Sequence, residues 1–387
     1  MKTRFLKSIA ALICLAPLAV AAASRPFTDG TKVGDSGGGV ALYAGGQHQL
    51  AQFGTDLVIA YPEEGGAENT IRLGRSLDGG ATWLPSVVVT RGYWINVDGA
   101  SLAVGPDPVG GGRYRVHVAY AQFASSQGGP LYYTFATVDP AAGINGVGGF
   151  SAPVQVSGTA VASRPNAIVA DALGGVHIAF EGTVDGVSGL RYTRSADYGA
   201  TFAETATVLA EGAGSPAFAT DAAGDVFLAF VTGPNTQVAK RTAGFSAFGT
   251  PVLVTASGRG EESIACSTDG THVYVAWIDS TYHVARSANG GATWATVDGP
   301  AMGSLFGPSV ATSGTGLVGL AFTNYNTAEL SYTTSTDAGL TWSAPALVTR
   351  APWGATLLLD ASSKANIASV YDGFNAAQSA VYFSKEK

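Results

Sequence analysis

The chain has 387 residues, of which 52 are glycine and 46% are hydrophobic, and its formal net charge is −7. This hydrophobic content excludes a disordered chain, which combines low hydrophobicity with high net charge. The glycines have no three-residue period, which excludes a collagen-like chain. The negative net charge disfavours nucleic acid as a partner, because phosphate binding needs a basic surface.

The first 23 residues have the pattern of an export signal. Three basic residues within the first seven positions precede an apolar run at 8–20, and alanines at 21–23 offer a small-residue cleavage site. The apolar run is shorter than the ~20 residues that a transmembrane helix needs. We therefore expect a signal peptide at 1–23, a mature domain at 24–387, a secreted or periplasmic location and no integral membrane span.

Cysteine and histidine usage predicts no metal site and no cofactor. Only Cys266 remains beyond the signal, which excludes an intrachain disulfide and a cysteine zinc site in the mature domain. We expect Cys266 to be a small buried hydrophobe. His117, His177 and His272 lie within strand patterns and have no accompanying Asp/Glu/His cluster, so we expect them to be structural.

One short phrase of alternating apolar residues, ending in Ala plus an aromatic, recurs along the chain. The aromatics are 45 to 60 residues apart, and a period near 50 indicates a solenoid, a propeller or an array. The copies lie at 58–61, 117–120, 177–180, 227–230, 274–277, 319–322 and, more loosely, 368–371.

The repeated unit is predicted to be a propeller blade, because it contains four short strand patterns joined by tight turns. The last unit, at 356–384, has three strands, and a lone strand at 39–43 precedes the first full unit. If the lone strand pairs with the three strands of the last unit, neither end of the chain leaves an unpaired sheet edge. The sequence thus predicts one all-β domain, a seven-bladed β-propeller closed by an N-terminal strand that completes the last blade. The alternative is a six-bladed propeller with a partial seventh unit packed elsewhere.

Four turns between the third and fourth strands share the pattern Ser-x-Asp/Asn-x-Gly-x-Thr-Trp/Phe. They lie at 76–83, 195–202, 287–294 and 335–342. These turns resemble the Asp box, or bacterial neuraminidase repeat, of the sialidase-like propellers. In that family the boxes lie at the periphery, away from the ligand face. The resemblance thus implies that Asp78, Asp197 and Asp337 are fold residues, whose carboxylates would accept hydrogen bonds from N–H groups two residues on.

In propellers of this type, ligands meet the loops between blades and the loops after the second strand. Here those loops mix aromatic, acidic and Arg residues. This mixture suits a sugar, an acidic one above all, because rings stack on apolar sugar faces and Arg binds a carboxylate bidentately. The expected ligand-binding residues are Tyr93, Trp94, Arg164, Glu181, Arg350 and Trp353.

The densest polar cluster lies in the fifth unit and supplies the expected catalytic residues. These are Asp279, Tyr282 and His283, with Arg259 in the preceding loop. A polysaccharide lyase would use a general base such as His283 or Tyr282 near an Arg that neutralises a uronate carboxylate. A sialidase is a weaker match, because the family's sialidases have six blades and an Arg-Ile-Pro-like motif that this chain lacks.

Three functions remain open at this point. The first is a propeller that binds a glycan or protein ligand without chemistry. The second is a carbohydrate-active enzyme, either an exo-glycosidase of the sialidase type or a polysaccharide lyase. The third is an assembly or interaction factor of the cell envelope. In each case we expect a monomer with a carbohydrate or protein partner.

Overall fold

The computed structural model describes residues 27–28, 30–37, 49–65, 68–92, 100–122, 128–202, 207–257, 262–279, 281–298, 307–313, 316–324, 327, 329–350, 352–360, 362–372 and 379–387. These residues form seven four-stranded antiparallel sheets, whose innermost strands contact one another in a closed ring. The fold is therefore a seven-bladed β-propeller, as predicted, and the six-bladed alternative is wrong. No helix among these residues is long and apolar enough to cross a membrane.

Each blade contributes its strands from the centre of the ring outwards. Blade one comprises β2 (Leu50–Phe53), β3 (Asp56–Gly65), β4 (Glu68–Ser76) and β5 (Val87–Gly92). Blade two comprises β6 (Ser101–Pro106), β7 (Tyr114–Ala121), β8 (Leu131–Val138) and β9 (Val154–Gln155), with a short 3-10 helix at Pro140–Asn145. Blade three comprises β10 (Val161–Ala170), β11 (Val176–Val184), β12 (Val187–Ser195) and β13 (Thr207–Glu211).

The remaining blades follow the same order. Blade four comprises β14 (Ala213–Thr220), β15 (Val226–Thr232), β16 (Asn235–Arg241) and β17 (Val252–Thr255). Blade five comprises β18 (Ser263–Cys266), β19 (Val273–Ile278), β20 (Tyr282–Ser287) and β21 (Ala295–Asp298). Blade six comprises β22 (Ser309–Thr312), β23 (Val318–Asn324), β24 (Glu329–Ser335) and β25 (Ala346–Arg350). Blade seven comprises β26 (Pro352–Leu359), β27 (Ala365–Asp372), β28 (Ser379–Lys385) and, at its outer edge, β1 (Thr31–Gly37).

The ring closes where β1 pairs with β28, from Thr31 opposite Phe383 to Gly37 opposite Ser379. An N-terminal strand therefore completes the last blade, as predicted. It lies at 31–37, however, while the predicted strand at 39–43 lies outside the described residues. The strand was missed because its sequence, TKVGDSG, is polar. An outer edge strand buries little surface, so hydrophobic periodicity does not mark it.

The repeated Ala-aromatic phrase forms the packing between neighbouring blades. Alternate residues of a strand point to opposite sheet faces. Ala60 therefore packs towards blade two while Tyr61 packs towards blade seven. The small Ala allows close approach, and the aromatic ring fills the space on the other side. Burying a side chain of that size contributes about 2–3 kcal/mol.

The strand register changes the assignment of the seventh copy. Ile59 lies opposite the inner-strand residue Leu50, and Ile367 lies opposite Leu357 in the same way. Tyr61 lies two residues after Ile59, and Ser369 lies two residues after Ile367. Ser369 therefore holds, in blade seven, the position that the aromatic Tyr61 holds in blade one. The sequence-based alignment of Tyr371 with the other aromatics was therefore wrong by two residues.

Two serines, each the first residue of an innermost strand, bond to the innermost strand of the next blade. The backbone N–H of Val310 donates to Ser263 Oγ at 3.2 Å, and that of Leu357 donates to Ser309 Oγ at 3.0 Å. Both bonds link one blade to the next and are buried. They satisfy N–H groups that lie on the open side of an innermost strand.

The four Ser–Asp/Asn turns share one hydrogen-bond pattern. In the first, Thr82 donates through N and Oγ1 to the two carboxylate oxygens of Asp78 at 2.9 and 2.6 Å. Gly80 N donates to Ser76 Oγ at 2.7 Å, and a Cβ on Gly80 would lie 1.9 Å from the Phe383 ring. The pattern recurs at 195–202, 287–294 and 335–342. The N–H bonds reach the residue four positions on, not two as predicted.

A second series of aspartates, which the sequence reasoning missed, closes the turns after the innermost strands. Asp171 Oδ1 accepts from Leu173 N at 2.9 Å and from Gly175 N at 2.7 Å. Asp221 and Asp360 accept the same two bonds in blades four and seven. The bond to the residue two positions on therefore exists in this protein, but at these turns.

His117 and His177 lie in the core and are bonded to tyrosines. His117 Nδ1 is 2.7 Å from Tyr133 Oη, and His177 Nδ1 is 2.7 Å from Tyr192 Oη. Burial lowers the pKa of His117 to about 3, and it also lowers the pKa of His177. Both imidazoles are therefore neutral in the folded protein at neutral pH.

The depressed pKa of His117 predicts a loss of stability in mild acid. An unfolded histidine takes up a proton below about pH 6.5, while folded His117 does so only near pH 3. The free energy of unfolding should fall through this window, by up to about 1.4 kcal/mol per pH unit for one such group. Replacement His117→Gln should make this slope shallower by about one proton, as measured by urea unfolding at several pH values.

Asp337→Asn provides the control for this pH dependence. Asp337 is bonded to Thr341 and Ser335, which lowers the pKa of its carboxyl to about 2. Its contribution is present above the unfolded pKa near 4 and is lost only below it. The control should therefore leave the slope between pH 4.5 and 7.5 unchanged. An unaltered slope in His117→Gln would contradict the role assigned to His117.

Candidate functional site

The two faces of the propeller differ in what they carry. Connections between blades, and from each second strand to the third, lie on one face, which we call the loop face. The Ser–Asp/Asn turns lie on the opposite, or turn, face. Of the residues predicted for the site, Tyr93, Trp94 and Arg259 lie outside the described residues. Arg164, Arg350 and Trp353 belong to β10, β25 and β26, but the described part of the chain does not include their side chains.

Asp279 and His283 form a bonded pair at the loop-face end of blade five. Asp279 Oδ1 is 3.0 Å from His283 Nε2 and accepts from Thr281 N at 3.1 Å. Thr281 Oγ1 lies 3.1 Å from the same His283 nitrogen. The side chains of His283 and Asp279 are 18% and 24% exposed, so the pair is accessible but partly shielded from water.

The indole of Trp277 packs against the imidazole of the Asp279–His283 pair. Trp277 and His283 are opposite each other on neighbouring strands, and their rings stack with centroids 5.3 Å apart at 20°. Trp277 is fully buried, so it gives the imidazole a rigid support. Stacking and the bond to Asp279 together fix the orientation of the His283 ring.

Tyr282 lies on the other side of the same strand. Its hydroxyl donates to Thr323 O at 2.8 Å and accepts from Thr323 N at 3.0 Å, and its ring packs against Phe322 of blade six. It is fully buried. Adjacent residues of a strand point to opposite faces, so Tyr282 and His283 do not share a site. Of the four expected catalytic residues, the structure brings Asp279 and His283 together.

Glu181 lies near the loop face of blade three, on β11. Its carboxylate faces the inner strand of blade four, where a Cβ on Gly214 would lie 2.4 Å from Oε2. A glycine at 214 therefore leaves room for this carboxylate between the two blades. Glu181 and Asp279 belong to blades three and five, so blade four lies between them.

Glu262 is a buried acid of blade five. It immediately precedes β18, is fully buried, and accepts from Thr236 Oγ1 of blade four at 3.1 Å. The equivalent positions before β6 and β22 hold Ala100 and Pro308. The acidic residue at this position, where blades two and six have a small or apolar one, was the feature of the sequence that could have drawn attention to Glu262. Glu262 adds a carboxylate to the interface between blades four and five, where Trp277 also packs.

Blades one and two carry different kinds of side chain from those of blade five. In blade one, Arg72 Nε donates to Glu63 Oε2 at 2.7 Å. In blade two, the rings of Tyr120 and Tyr132 stack 5.8 Å apart. These two blades thus carry acidic, cationic and aromatic side chains towards this end of their sheets. Within the described ranges, no group of three or more His, Cys, Asp or Glu residues could hold a metal ion.

The central channel offers a chemically different cavity. Inner-strand residues of all seven blades, such as Leu102, Phe218 and Cys266, enclose about 290 Å³. Burial raises the pKa of the Cys266 thiol to about 12, so it is protonated at neutral pH. The lining of this cavity is mostly apolar and offers no acid–base pair like that of blade five.

Comparison with known proteins yields similarities of structure. No protein-family model matches the chain, and no curated protein does. An ulvan lyase of polysaccharide lyase family 25, solved with -[GlcA(1-4)Rha3S]-, is similar over 93% of this chain and 96% of its own, with a TM-score of 0.63 and 10% identity. The NanB sialidase of Streptococcus pneumoniae is similar over 92% of this chain and 70% of its own, with a TM-score of 0.50 and 12% identity. The likeness is one of fold.

Proposed function

We propose that this propeller binds a glycan on its loop face, with blade five at the centre of the site. One observation carries the proposal: the Asp279–His283 pair is held against Trp277 where β19 and β20 meet the loop face. Such a pair offers charge-assisted hydrogen bonds to sugar hydroxyls. Glu181 and the predicted residues Tyr93, Trp94, Arg164, Arg350 and Trp353 would complete the contacts.

We also propose that the protein is a sialidase-like propeller and that it is exported. The turn sequences and their shared bond pattern support an assignment of the four Ser–Asp/Asn turns as Asp boxes of a sialidase-like propeller. The basic and apolar start of the chain supports export, with a signal peptide at 1–23 and the mature domain at 24–387. A glycan-binding role outside the cytoplasm fits both.

A second candidate function, favoured by the same pair, is polysaccharide cleavage by β-elimination. His283 would be the general base that removes the proton at C5 of a uronate, while the glycosidic oxygen leaves from C4 with a proton taken from water and a double bond forms between these carbons. Asp279 would orient the imidazole and stabilise its protonated form. Arg259 would neutralise the uronate carboxylate. Tyr282 has no place in this scheme, because Thr323 occupies its hydroxyl as both donor and acceptor.

A glycan panel on purified mature protein tests both candidates. The panel contains uronate polysaccharides, neutral polysaccharides and sialylated oligosaccharides, and both retention and product release are measured. We expect His283→Ala and Asp279→Asn to weaken binding at least tenfold. If the protein is a lyase, unsaturated products should appear with the native chain and fall at least 100-fold in both variants. Asp269→Ala, on the turn face of the same blade, is the matched control.

The outcomes separate the candidates. Binding without product release supports a lectin-like propeller, and product release that depends on His283 supports the enzyme. Binding that both variants retain at full strength would move the site away from blade five. A folded protein that neither binds nor cleaves any glycan contradicts the proposal and leaves a protein-interaction or envelope-assembly role.

A further inference from the structure

Blade seven lacks the aromatic ring that fills the space between blades elsewhere. Six second strands carry a Tyr, Phe or Trp at this position, and all six are buried. They are Tyr61, Tyr120, Phe180, Phe230, Trp277 and Phe322. The strand register places Ser369 at the same position of β27. Replacement of a ring by a hydroxymethyl group leaves space between blades six and seven.

That space is a cavity of about 220 Å³. We call it the Ser369 pocket. Its described lining consists of Gly30, Thr349, Ser369, Tyr382 and Ser384. Tyr382 is the cross-strand neighbour of Ser369, and Thr349 belongs to the outer strand of blade six. At ~30 Å³ per molecule, this volume corresponds to about seven waters, which is the size of one sugar ring.

Blades one and two show what the pocket lacks. Thr90 lies opposite Ile71 on the outer strand of blade one, and its Oγ1 is 3.3 Å from the hydroxyl of Tyr120 in blade two. Thr349 lies opposite Leu330 on the outer strand of blade six, at the equivalent position. It lines the pocket together with Ser369, which holds the position that Tyr120 has in blade two.

The hydroxyls that line the pocket can form hydrogen bonds with a polar occupant. Ser369 and Ser384 are 3% and 2% exposed. No hydrogen bond joins either side-chain hydroxyl to another residue in the described part of the chain. Neither hydroxyl oxygen is among the buried side-chain atoms that lack a partner, so both are within reach of whatever occupies the pocket. The pocket has the hydroxyls of a polar site and the volume of a small molecule.

We propose that the Ser369 pocket binds one neutral pyranose unit, at a site separate from blade five. The described lining carries no ionised side chain, which favours an uncharged ligand. A sugar ring has hydroxyls around its edge to pair with Thr349, Ser369 and Ser384, and an apolar face to set against Tyr382. A plain aromatic ring would fill the volume but would leave the serines unpaired.

Gly30 keeps the wall beside Tyr382 open. A Cβ at this position would lie 3.3 Å from Tyr382 Cβ and 3.5 Å from Ser384 Oγ. A larger side chain at 30 therefore narrows the pocket without removing a hydroxyl. Substitution of Gly30 is therefore a second way to block the pocket, independent of Ser369.

The test measures binding of free glucose, galactose, mannose, xylose and rhamnose, and of their methyl glycosides, by saturation-transfer NMR and calorimetry. The protein carries Asp279→Ala and His283→Ala, so that loss of the blade-five site does not mask the result. We expect at least one sugar to bind this protein. Ser369→Phe, which restores the ring of the other blades, should weaken that binding at least tenfold and should not lower the melting temperature. Thr349→Val should weaken it about fivefold.

The design separates the alternatives. If Ser369→Phe does not fold, Gly30→Val must give the same loss of binding. If a free sugar binds and a polysaccharide does not, the pocket accepts monosaccharides rather than a polysaccharide chain. Binding of phenol as tight as that of any sugar would overturn the proposal, as would sugar binding that survives both Ser369→Phe and Gly30→Val. Detection of water alone in the pocket, with no sugar bound at millimolar concentration, would also overturn it.

Discussion

Deletion of residues 1–48 is expected to abolish cooperative folding of the propeller. The deletion removes β1, which pairs with β28 along Thr31–Gly37 and is the outer strand of blade seven. It also removes Phe27, whose ring contacts Tyr332 of blade six at 5.5 Å. The exposed edge of β28 would then be free to pair with other chains. Size-exclusion chromatography and thermal unfolding should show aggregation and a broad transition.

A shorter deletion provides the control for this prediction. A chain that lacks residues 1–26 keeps Phe27 and β1, and it should unfold in one transition like the full chain. A synthetic peptide of residues 27–48, added to the longer deletion, should restore part of the fold by pairing with β28. A longer deletion that melts like the control would show that packing of the other blades alone holds the ring closed.

Replacement Arg75→Met is expected to cost about 3–5 kcal/mol of folding free energy. Arg75 donates to Asp56 Oδ2 through Nε at 3.1 Å and through Nη2 at 2.5 Å, and the two side chains are 2% and 6% exposed. Tyr114 of blade two also donates to this oxygen, at 3.1 Å. Removal of the guanidinium leaves a carboxylate buried between two blades with one neutral donor. Urea unfolding at pH 7 measures the cost.

Blade four offers a matched control for the ion pair. Lys240 and Asp225 hold the places of Arg75 and Asp56 in the strand register and are 2.7 Å apart, but their side chains are 36% and 13% exposed. Solvent screens such a pair, so Lys240→Met should cost no more than about 1 kcal/mol. Equal costs for the two variants would contradict the argument from burial.

The sequence predicted those parts of the fold that depend on buried repeats. The second strands are apolar in every blade, so their period gave the count of seven. The outer strand β1 was misplaced because Val33 is its one large apolar residue, so the strand carries no alternating pattern. The seventh copy was misaligned because Tyr371 lies two residues beyond the position that the register gives to Ser369. An aromatic close in sequence cannot be told from one at the same structural position without strand pairing.

The candidate site was predictable in part, for a similar reason. Asp279 directly follows β19 and His283 lies on β20, four residues later, so their proximity follows from local sequence. Tyr282 is nearer still in sequence but points to the opposite sheet face. Glu262 and Thr236 meet across two blades, and Trp277 supports His283 from the neighbouring strand. Contacts between blades depend on the closed ring, and no local pattern indicates which side chains it brings together.

The junction of β1 and β28 also bears on how long the folded state lasts. Phe27 pairs with Glu386, and Thr28 N donates to Lys385 O at 2.8 Å, so the two ends of the described chain are held side by side. No blade can then peel away from an end without first breaking that junction. Such a barrier slows unfolding without adding to equilibrium stability in proportion. For a protein that we propose to work outside the cytoplasm, among proteases and without chaperones that refold it, slow opening is the more useful property.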